Sequence, residues 1–167
     1  MIYLIPIISF LGFVLGNLFY YITKEEIWYS RFYFKAIQIC VMLSLIGVLL
    51  YSGYFHWLVL VGLLVGFVLS ELVSLWFFFG LALLVSYFVS GTVLFLISSL
   101  VFVYGLPTGT MMRRVEFDKF LELFLIFIVP LFLYFTVDYI GYEVFLGLSI
   151  GGILKNILTL IIQMKTF

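Results

Sequence analysis

The fold is decided by residues 54–104, which read YFHWLVLVGLLVGFVLSELVSLWFFFGLALLVSYFVSGTVLFLISSLVFVY. One charged residue, Glu71, and one histidine, His56, interrupt this otherwise apolar stretch. The whole chain of 167 residues is 66% hydrophobic and 10% charged, whereas a soluble domain carries about 25% charged residues. A soluble fold would expose wide apolar surfaces that aggregate. We therefore predict an all-α, polytopic transmembrane helical bundle, with residues 1–167 forming a single transmembrane domain and no soluble domain.

Two arrangements of residues 54–104 compete. Two spans of ordinary length fit if the chain breaks near Gly80. Three shorter spans fit if it breaks at residues 70–71 and again at residues 90–91, where serine is followed by glutamate and by glycine. Each short span would hold about 14 to 18 residues, at the lower end of the range that crosses a bilayer.

The distribution of basic residues favours the three shorter spans. Six of the eight basic residues lie in two segments, 23–35 and 105–119 (Lys24, Arg31, Lys35; Arg113, Arg114, Lys119). Basic loops concentrate on the cytoplasmic side, so an even number of crossings should separate the two segments. The span over 36–51 supplies one crossing, and 54–104 must then supply one or three. Three crossings give seven short-to-normal spans, our preferred count, with six as the alternative. One crossing plus a re-entrant hairpin keeps the same parity.

This arrangement predicts a multi-pass protein of the cell membrane, with loops 23–35 and 105–119 in the cytoplasm. The other spans are expected over residues 2–22, 36–51, 120–137 and 144–164. Pro130 should kink the span that contains it. Pro107 and its neighbouring glycines should end the helix before loop 105–119. Lys155 lies inside the last apolar run and would have to extend its amine towards the headgroups.

Three glycine pairs lie within predicted spans and are candidates for helix packing. Each has the spacing GxxxG, which lets two helix backbones approach closely in lipid; the pairs are Gly12 and Gly16, Gly62 and Gly66, and Gly147 and Gly151. The contacts would lie within the chain or, alternatively, in a homo-oligomer or against a partner subunit. Segments 11–18 (LGFVLGNL) and 61–68 (VGLLVGFV) also resemble each other, and an internal duplication is one explanation.

Few polar residues are candidates for chemistry. Glu71 would be a proton or cation site if a helix continues through it, and a membrane-interface residue if the chain turns there. His56 and Asn17 are the other candidates for a polar or ion site. Arg113 and Arg114 would anchor the topology or bind anionic lipid headgroups or an acidic partner.

Catalytic and cofactor signatures are scarce. One histidine and one cysteine are too few for a haem pair or a tetrahedral zinc site, so we expect no cofactor and no metal. The glycine-rich first span is similar to that of prepilin peptidases, but the catalytic aspartates of that family are missing. Residues 98–104, SSLVFVY, resemble the glycine-rich third helix of subunit six of respiratory complex I. That resemblance implies a hydrophobic subunit of a membrane redox or ion-pumping complex.

The sequence thus predicts a non-catalytic membrane component or assembly partner. A small carrier or channel that uses Glu71 is the first alternative, and the redox-complex subunit is the second. The expected partners are the lipid bilayer and a second copy or another membrane subunit. The formal net charge of zero gives no reason to expect nucleic acid.

Overall fold

The computed structural model describes residues 4–22, 27–52, 56–112 and 117–165. Within these ranges the chain is helical and contains no strand. The helices are α1 (Ile5–Ile22), α2 (Ile27–Ser52), α3 (Trp57–Leu69), α4 (Leu75–Val89), α5 (Gly91–Met111), α6 (Phe117–Ile128), a 3-10 segment (Val129–Thr136), α7 (Val137–Ile140) and α8 (Tyr142–Lys165).

Five helical stretches of the described chain are long and apolar enough to cross a membrane. They are α1, most of α2, α5, α6 together with the 3-10 segment, and α8. The helices α3 and α4 are equally apolar but have only 13 and 15 residues, which is about 20 Å each. A bilayer hydrocarbon core is about 30 Å thick. The fold is therefore that of a helical membrane protein with five full-length candidate spans and two short helices.

The two short helices are separated where the three-span arrangement predicts. The chain leaves α3 after Leu69, and Ser74 caps α4 by accepting a hydrogen bond from the Trp76 backbone N–H at 3.4 Å. Ser90 adopts an extended conformation, and its hydroxyl accepts from the Val93 N–H at 3.2 Å to cap α5. Capping serines replace the hydrogen bonds that a helix start lacks.

The alternative break near Gly80 is wrong. Gly80 lies in the middle of α4, where a Cβ atom would meet the Phe127 carbonyl oxygen of α6. The glycine is thus explained by close approach of two backbones rather than by a turn.

The predicted loops 23–35 and 105–119 are also too long. α2 already begins at Ile27, and α5 continues to Met111 with Pro107 inside it. Gly105 and Gly109 face the backbone of α1, so tertiary packing stabilises a helix that Pro107 alone would disfavour. Residues 113–116 lie outside the described ranges.

Pro130 changes the type of helix in its span. The α-helix ends at Ile128, and the following eight residues are 3-10 helical with Pro130 in the first turn. Proline has no N–H to donate to the carbonyl of Ile126, which accounts for the loss of regular α-helix here. A 3-10 segment of this length is unusual.

Glycine contacts establish that two helix pairs are parallel. Gly12 and Gly16 of α1 approach, in that order, Phe102 and Leu106 of α5. In the same way, Gly62 and Gly66 of α3 approach first Val144 and then Leu148 of α8. Because residue numbers rise together in each pair, α1 runs parallel to α5, and α3 runs parallel to α8.

Aromatic contacts give the remaining directions. Trp76 and Phe88 of α4 contact Phe127 and Tyr134, so α4 runs parallel to α6 and its 3-10 extension. In α1, Phe10 contacts Phe127 of α6, whereas the later Phe13 contacts the earlier Phe120, which makes α1 and α6 antiparallel. Lys155 of α8 contacts Glu71 just before α4, whereas the earlier Gly152 approaches the later Phe78 of α4, so α8 runs antiparallel to α4. Helices α1, α5 and α8 therefore finish at the end of the bundle where α6 begins. We call this the basic end, because Arg31, Lys35, Lys119 and Lys165 lie near it.

The core forms around α4, which has ten buried residues. Trp76 in its first turn lies in a cluster of rings contributed by four helices: Phe10, Phe13, Phe79, Tyr104 and Phe127. Edge-to-face packing dominates this cluster, as is usual for aromatic groups. The centre of the described bundle is consequently filled by large apolar side chains.

Candidate functional site

Glu71 lies in the turn between α3 and α4. The backbone around it is hydrogen-bonded back onto the end of α3, with Ser70 N–H donating to Gly66 and Val73 N–H to Leu69. Its carboxylate accepts a hydrogen bond from the Lys155 amine of α8 at 3.1 Å. Of the two readings of Glu71, the structure therefore supports a turn, and it adds a basic partner from a helix 84 residues further along the chain.

Lys155 has a defined environment inside the last long helix. Its amine lies 4.9 Å from the centroid of the Phe67 ring, over which it forms a cation–π contact. The side chain of Lys155 is 31% exposed and that of Glu71 is 66% exposed. Charged groups within membrane spans usually pair with one another. Here Glu71 and Phe67 provide that compensation, in place of the long reach to the headgroups expected for an unpaired lysine.

The ion pair lies well below the basic end of the bundle. α8 continues ten residues beyond Lys155 to Lys165, which corresponds to about 15 Å of helix. Trp76, close to the same turn, contacts Phe13 and Tyr104. From these residues α1 and α5 extend a further nine and seven residues, or about 14 and 10 Å.

The α3–α4 turn is therefore recessed by about 10–15 Å relative to the ends of its neighbours. The recess results directly from the short length of α3, because a full-length helix would bring the turn level with the end of α8. A carboxylate and an amine consequently meet at a depth where the neighbouring helices are still apolar.

The other two candidates for a polar site do not join Glu71. His56 precedes the first turn of α3, so the length of that helix, about 20 Å, separates it from the ion pair. Asn17 belongs to α1, where its backbone nitrogen lies against Gly109 of α5. In the structure Glu71 is thus brought together with Lys155, and not with His56 or Asn17.

All six glycines of the predicted packing motifs face another helix of the same chain. A Cβ atom on any of them would approach a backbone carbonyl oxygen of the opposing helix. The structure adds a fourth pair, Gly105 and Gly109, which opposes Gly12 and Gly16. Its GxxxG spacing is present in the sequence GLPTG, but Pro107 between the glycines favours a loop when the segment is considered alone.

Buried polar side chains in the described chain are mostly used for local hydrogen bonds. The hydroxyls of Ser86 and Ser149 donate to carbonyls three residues earlier in their own helices. Ser9 and Ser98 form a buried pair at 2.8 Å between α1 and α5. Gln38 donates to Thr108 at 2.8 Å, while its side-chain oxygen has no hydrogen-bond partner among the described atoms. These groups are separate and do not form a continuous polar path through the described bundle.

The described residues contain no recognisable metal site. They include no group of three or more histidine, cysteine, aspartate or glutamate residues able to hold a metal ion. Arg113 and Arg114 lie outside the described ranges. The segment 98–104 is an uninterrupted part of α5. Comparisons with protein-family models, curated proteins and solved structures find no match for this chain.

Proposed function

We propose that this chain is a non-catalytic component of the cell membrane with seven spans, acting as an assembly partner for another membrane subunit or for a second copy. The observation that carries the proposal is the filled interior around α4. Nine of its ten buried residues are apolar or glycine, and the remaining Ser86 donates to its own helix. The described surroundings of α4 therefore contain neither a conduit nor a polar pocket at the centre of the bundle.

The seven-span count rests on the alternation of helix directions. α1, α5 and α8 finish at one end, and α4 and α6 run the opposite way, as expected if every successive helix reverses. The short α3 and α4 then both cross the membrane, and water reaches the turn between them from the cytoplasm through the recess. The basic residues of segments 23–35 and 105–119 lie on the cytoplasmic side in this arrangement, because the basic end satisfies the positive-inside rule. The acidic Glu143 lies in the first turn of α8, at the other end.

Thiol accessibility in intact cells tests this topology. The exposed Cys40 is first replaced in a Cys40→Ser background, and cysteine is then introduced as Glu71→Cys, Gly91→Cys or Met112→Cys. An impermeant reagent should label position 91 from outside the cell and positions 71 and 112 only from the cytoplasm. Labelling of 91 and 112 from the same side refutes the assigned crossings, and labelling of position 71 from outside indicates a re-entrant hairpin.

The surface beside the recess supports an assembly role. Leu72, next to Glu71, is 83% exposed, and the outer side of α3 presents further large apolar residues (Trp57, Leu60, Leu64 and Val68). An exposed carboxylate at membrane depth is stabilised when a second protein supplies donors to it. A photoreactive amino acid in place of Leu72, irradiated while the protein is in its native membrane, should therefore crosslink to another protein. The same group in place of the exposed Leu18 of α1 should label mainly lipid.

One observation favours a second candidate, a carrier or channel for an ion or small solute. The Glu71–Lys155 pair lies in a recess, and intramembrane ionisable pairs often mark ion or proton routes. The third candidate, a subunit of a redox or ion-pumping complex, rests only on the resemblance of residues 98–104.

Reconstitution separates the first two functions. Purified protein in sealed proteoliposomes should show proton, sodium and potassium fluxes equal to those of protein-free vesicles. A flux above that baseline which Glu71→Gln abolishes, and which the control Glu122→Gln at the exposed side of α6 leaves intact, would replace the assembly proposal by the carrier.

A further inference from the structure

A polar stripe on α8 leads from the ion pair to the basic end of the bundle. Lys155, Thr159 and Gln163 follow one another at intervals of four residues, so their side chains lie along one side of the helix. Thr159 and Gln163 are exposed, and Lys155 is partly exposed. Most of the other residues in this segment are isoleucine and leucine, so the stripe is a polar line on an apolar helix.

The stripe faces the space above the α3–α4 turn. Gly151 of α8 approaches Leu63 of α3, and the next residue, Gly152, approaches Phe78 of α4. The direction between these two contacts points towards the turn that joins α3 and α4. Lys155, which follows about one helical turn after Gly151, meets the turn in that direction. The recess above the turn therefore has a polar wall on the α8 side.

The apolar length of α3 is shorter than an ordinary bilayer. Trp57, which begins α3 at the far end of the bundle, is 64% exposed, and aromatic residues of this kind lie at the headgroup level. Glu71 follows it by 14 residues, or about 20 Å, whereas the hydrocarbon core is about 30 Å thick. A bilayer adapts to a short hydrophobic stretch by thinning, and thinning here brings cytoplasmic-leaflet headgroups down to the ion pair.

The depth of the recess excludes a spanning helix as its occupant. Such a helix, placed along the polar stripe, would meet the α3–α4 turn after about 10–15 Å and could not continue across the membrane. The headgroup region of each leaflet is about 5–8 Å thick. A lipid headgroup therefore fits into the recess, and a full-length helix does not.

The charges at the floor of the recess specify the headgroup. The side chain of Glu71 is 66% exposed and accepts a hydrogen bond from Lys155, and a carboxylate offers about four acceptor positions in all. The amine of Lys155 has three N–H donors and is itself partly exposed. A headgroup with both an ammonium and a phosphate complements this pair through charge-assisted hydrogen bonds.

The hydrogen-bonding capacity of the ammonium distinguishes the ligand from other phospholipids. The quaternary ammonium of choline has no N–H to donate, and a purely anionic headgroup places no cation at Glu71. We propose that the recess binds a phospholipid of the phosphatidylethanolamine type, with its ammonium at Glu71 and its phosphate at Lys155. The headgroup lies above the turn, so the outer side of α3 stays available to the protein partner proposed above.

Lipid retention in native mass spectrometry tests the selectivity. The full-length protein is supplied with equal amounts of phosphatidylethanolamine, phosphatidylcholine and phosphatidylglycerol that carry the same acyl chains. After detergent exchange, the phosphatidylethanolamine adduct should exceed each of the other two at least fivefold. Equal retention of the three lipids would overturn the proposal, because ordinary boundary lipid gives that result.

Two neutralising substitutions connect the selectivity to the ion pair. Glu71→Gln and Lys155→Met should each lower the retention of phosphatidylethanolamine at least fivefold, whereas the control Glu122→Gln, at an exposed position of α6, should leave it unchanged. Circular dichroism verifies that each variant keeps its helix content. Folded variants that retain this lipid as the wild type does would refute the site.

Depth mapping of the wild-type protein decides the question even if neither variant folds. A phosphatidylethanolamine with a diazirine beside the glycerol, at the start of one acyl chain, reports where the hydrocarbon of its leaflet begins. In nanodiscs it should label the exposed Val68 and Leu72 at the end of α3. On α1 it should label Leu18 and Ile22, near the basic end, and not Leu11, which is about as deep as the floor of the recess.

Phosphatidylcholine with the same diazirine is the matched probe. It should label the end of α3 at least fivefold less than phosphatidylethanolamine does, and α1 to the same extent. An unlabelled end of α3, or equal labelling by the two lipids, would overturn the proposal.

The free headgroup separates a lipid site from a site for a soluble phosphate ester. Glycerophosphoethanolamine has the same headgroup without acyl chains, and in molar excess it should not reduce the labelling of Val68. Loss of the label would identify a soluble ligand and would overturn the assignment to a lipid.

Discussion

The two parallel helix pairs, α1 with α5 and α3 with α8, use the same packing device at different lengths. In both, two glycines on each helix bring the backbones together. α1 and α5 are both long enough to span a bilayer, whereas α3 stops at Leu69 while α8 continues to Lys165. Glycine packing therefore fixes the alignment of a pair without fixing how far either helix extends.

The pairs differ most in the polar contacts that accompany the glycines. Between α1 and α5, Ser9 bonds to Ser98, and the Thr110 hydroxyl donates to the Gly16 carbonyl at 3.1 Å. Between α8 and the α3–α4 turn, the corresponding contact is the Glu71–Lys155 ion pair. At the shortened helix, a partly exposed ion pair thus takes the place of the neutral buried hydrogen bonds found between α1 and α5.

The largest expected effect on the free energy of unfolding comes from losing the close backbone contacts at the glycines. Gly12→Ala and Gly62→Ala each place a Cβ against a carbonyl oxygen of the opposing helix, which cannot move as a side chain does. Each should lower the free energy of unfolding by about 1–3 kcal/mol, measured by denaturant titration in mixed micelles. Gly47→Ala is the matched control, because nothing lies within 4 Å of its Cβ position. A large loss in only one of the two pairs would show that the glycine contacts are not equivalent.

The ion pair between Glu71 and Lys155 should contribute less to the free energy of unfolding than the glycine contacts do. In a double-mutant cycle with Glu71→Gln and Lys155→Met, we expect a coupling free energy of about 0.5–2 kcal/mol, the range between exposed ion pairs and the strongest polar contacts in membranes. The cycle is run at low and high salt, and the coupling should fall with added salt because both side chains are partly exposed. Coupling near zero at low salt would leave the α3–α8 pair held by its glycines alone.

The smallest effect is expected for the serine pair. Ser9→Ala or Ser98→Ala should each cost about 0.6 kcal/mol, the average for such hydrogen bonds in membranes, and the double variant should cost little more than either single one. Ser44→Ala serves as the control, because Ser44 is exposed and donates only to the Cys40 carbonyl of its own helix. Additive losses for the two serines would indicate that each stabilises its own helix rather than the pair.

The sequence by itself determined that the protein lies in a membrane and where several of its helices end. Its apolar composition requires a bilayer, and the serines at positions 70 and 90 mark helix breaks in the sequence, as they do in the structure. Local chemistry suffices there, because a capping hydroxyl bonds to a backbone N–H two or three residues away. The prediction that an even number of crossings separates the two basic segments likewise follows from charge and span length alone.

Tertiary structure decided what depends on distant neighbours. Gly105 and Gly109 lie within a helix whose backbone α1 approaches closely, and the close approach of α6 explains Gly80, which the two-span alternative would place at a turn. The partner of Glu71 lies 84 residues away, beyond the reach of any local pattern. The glycine contacts arise from the close approach of helix backbones, and the sequence shows the same glycine whether it permits a turn or the close approach of another helix.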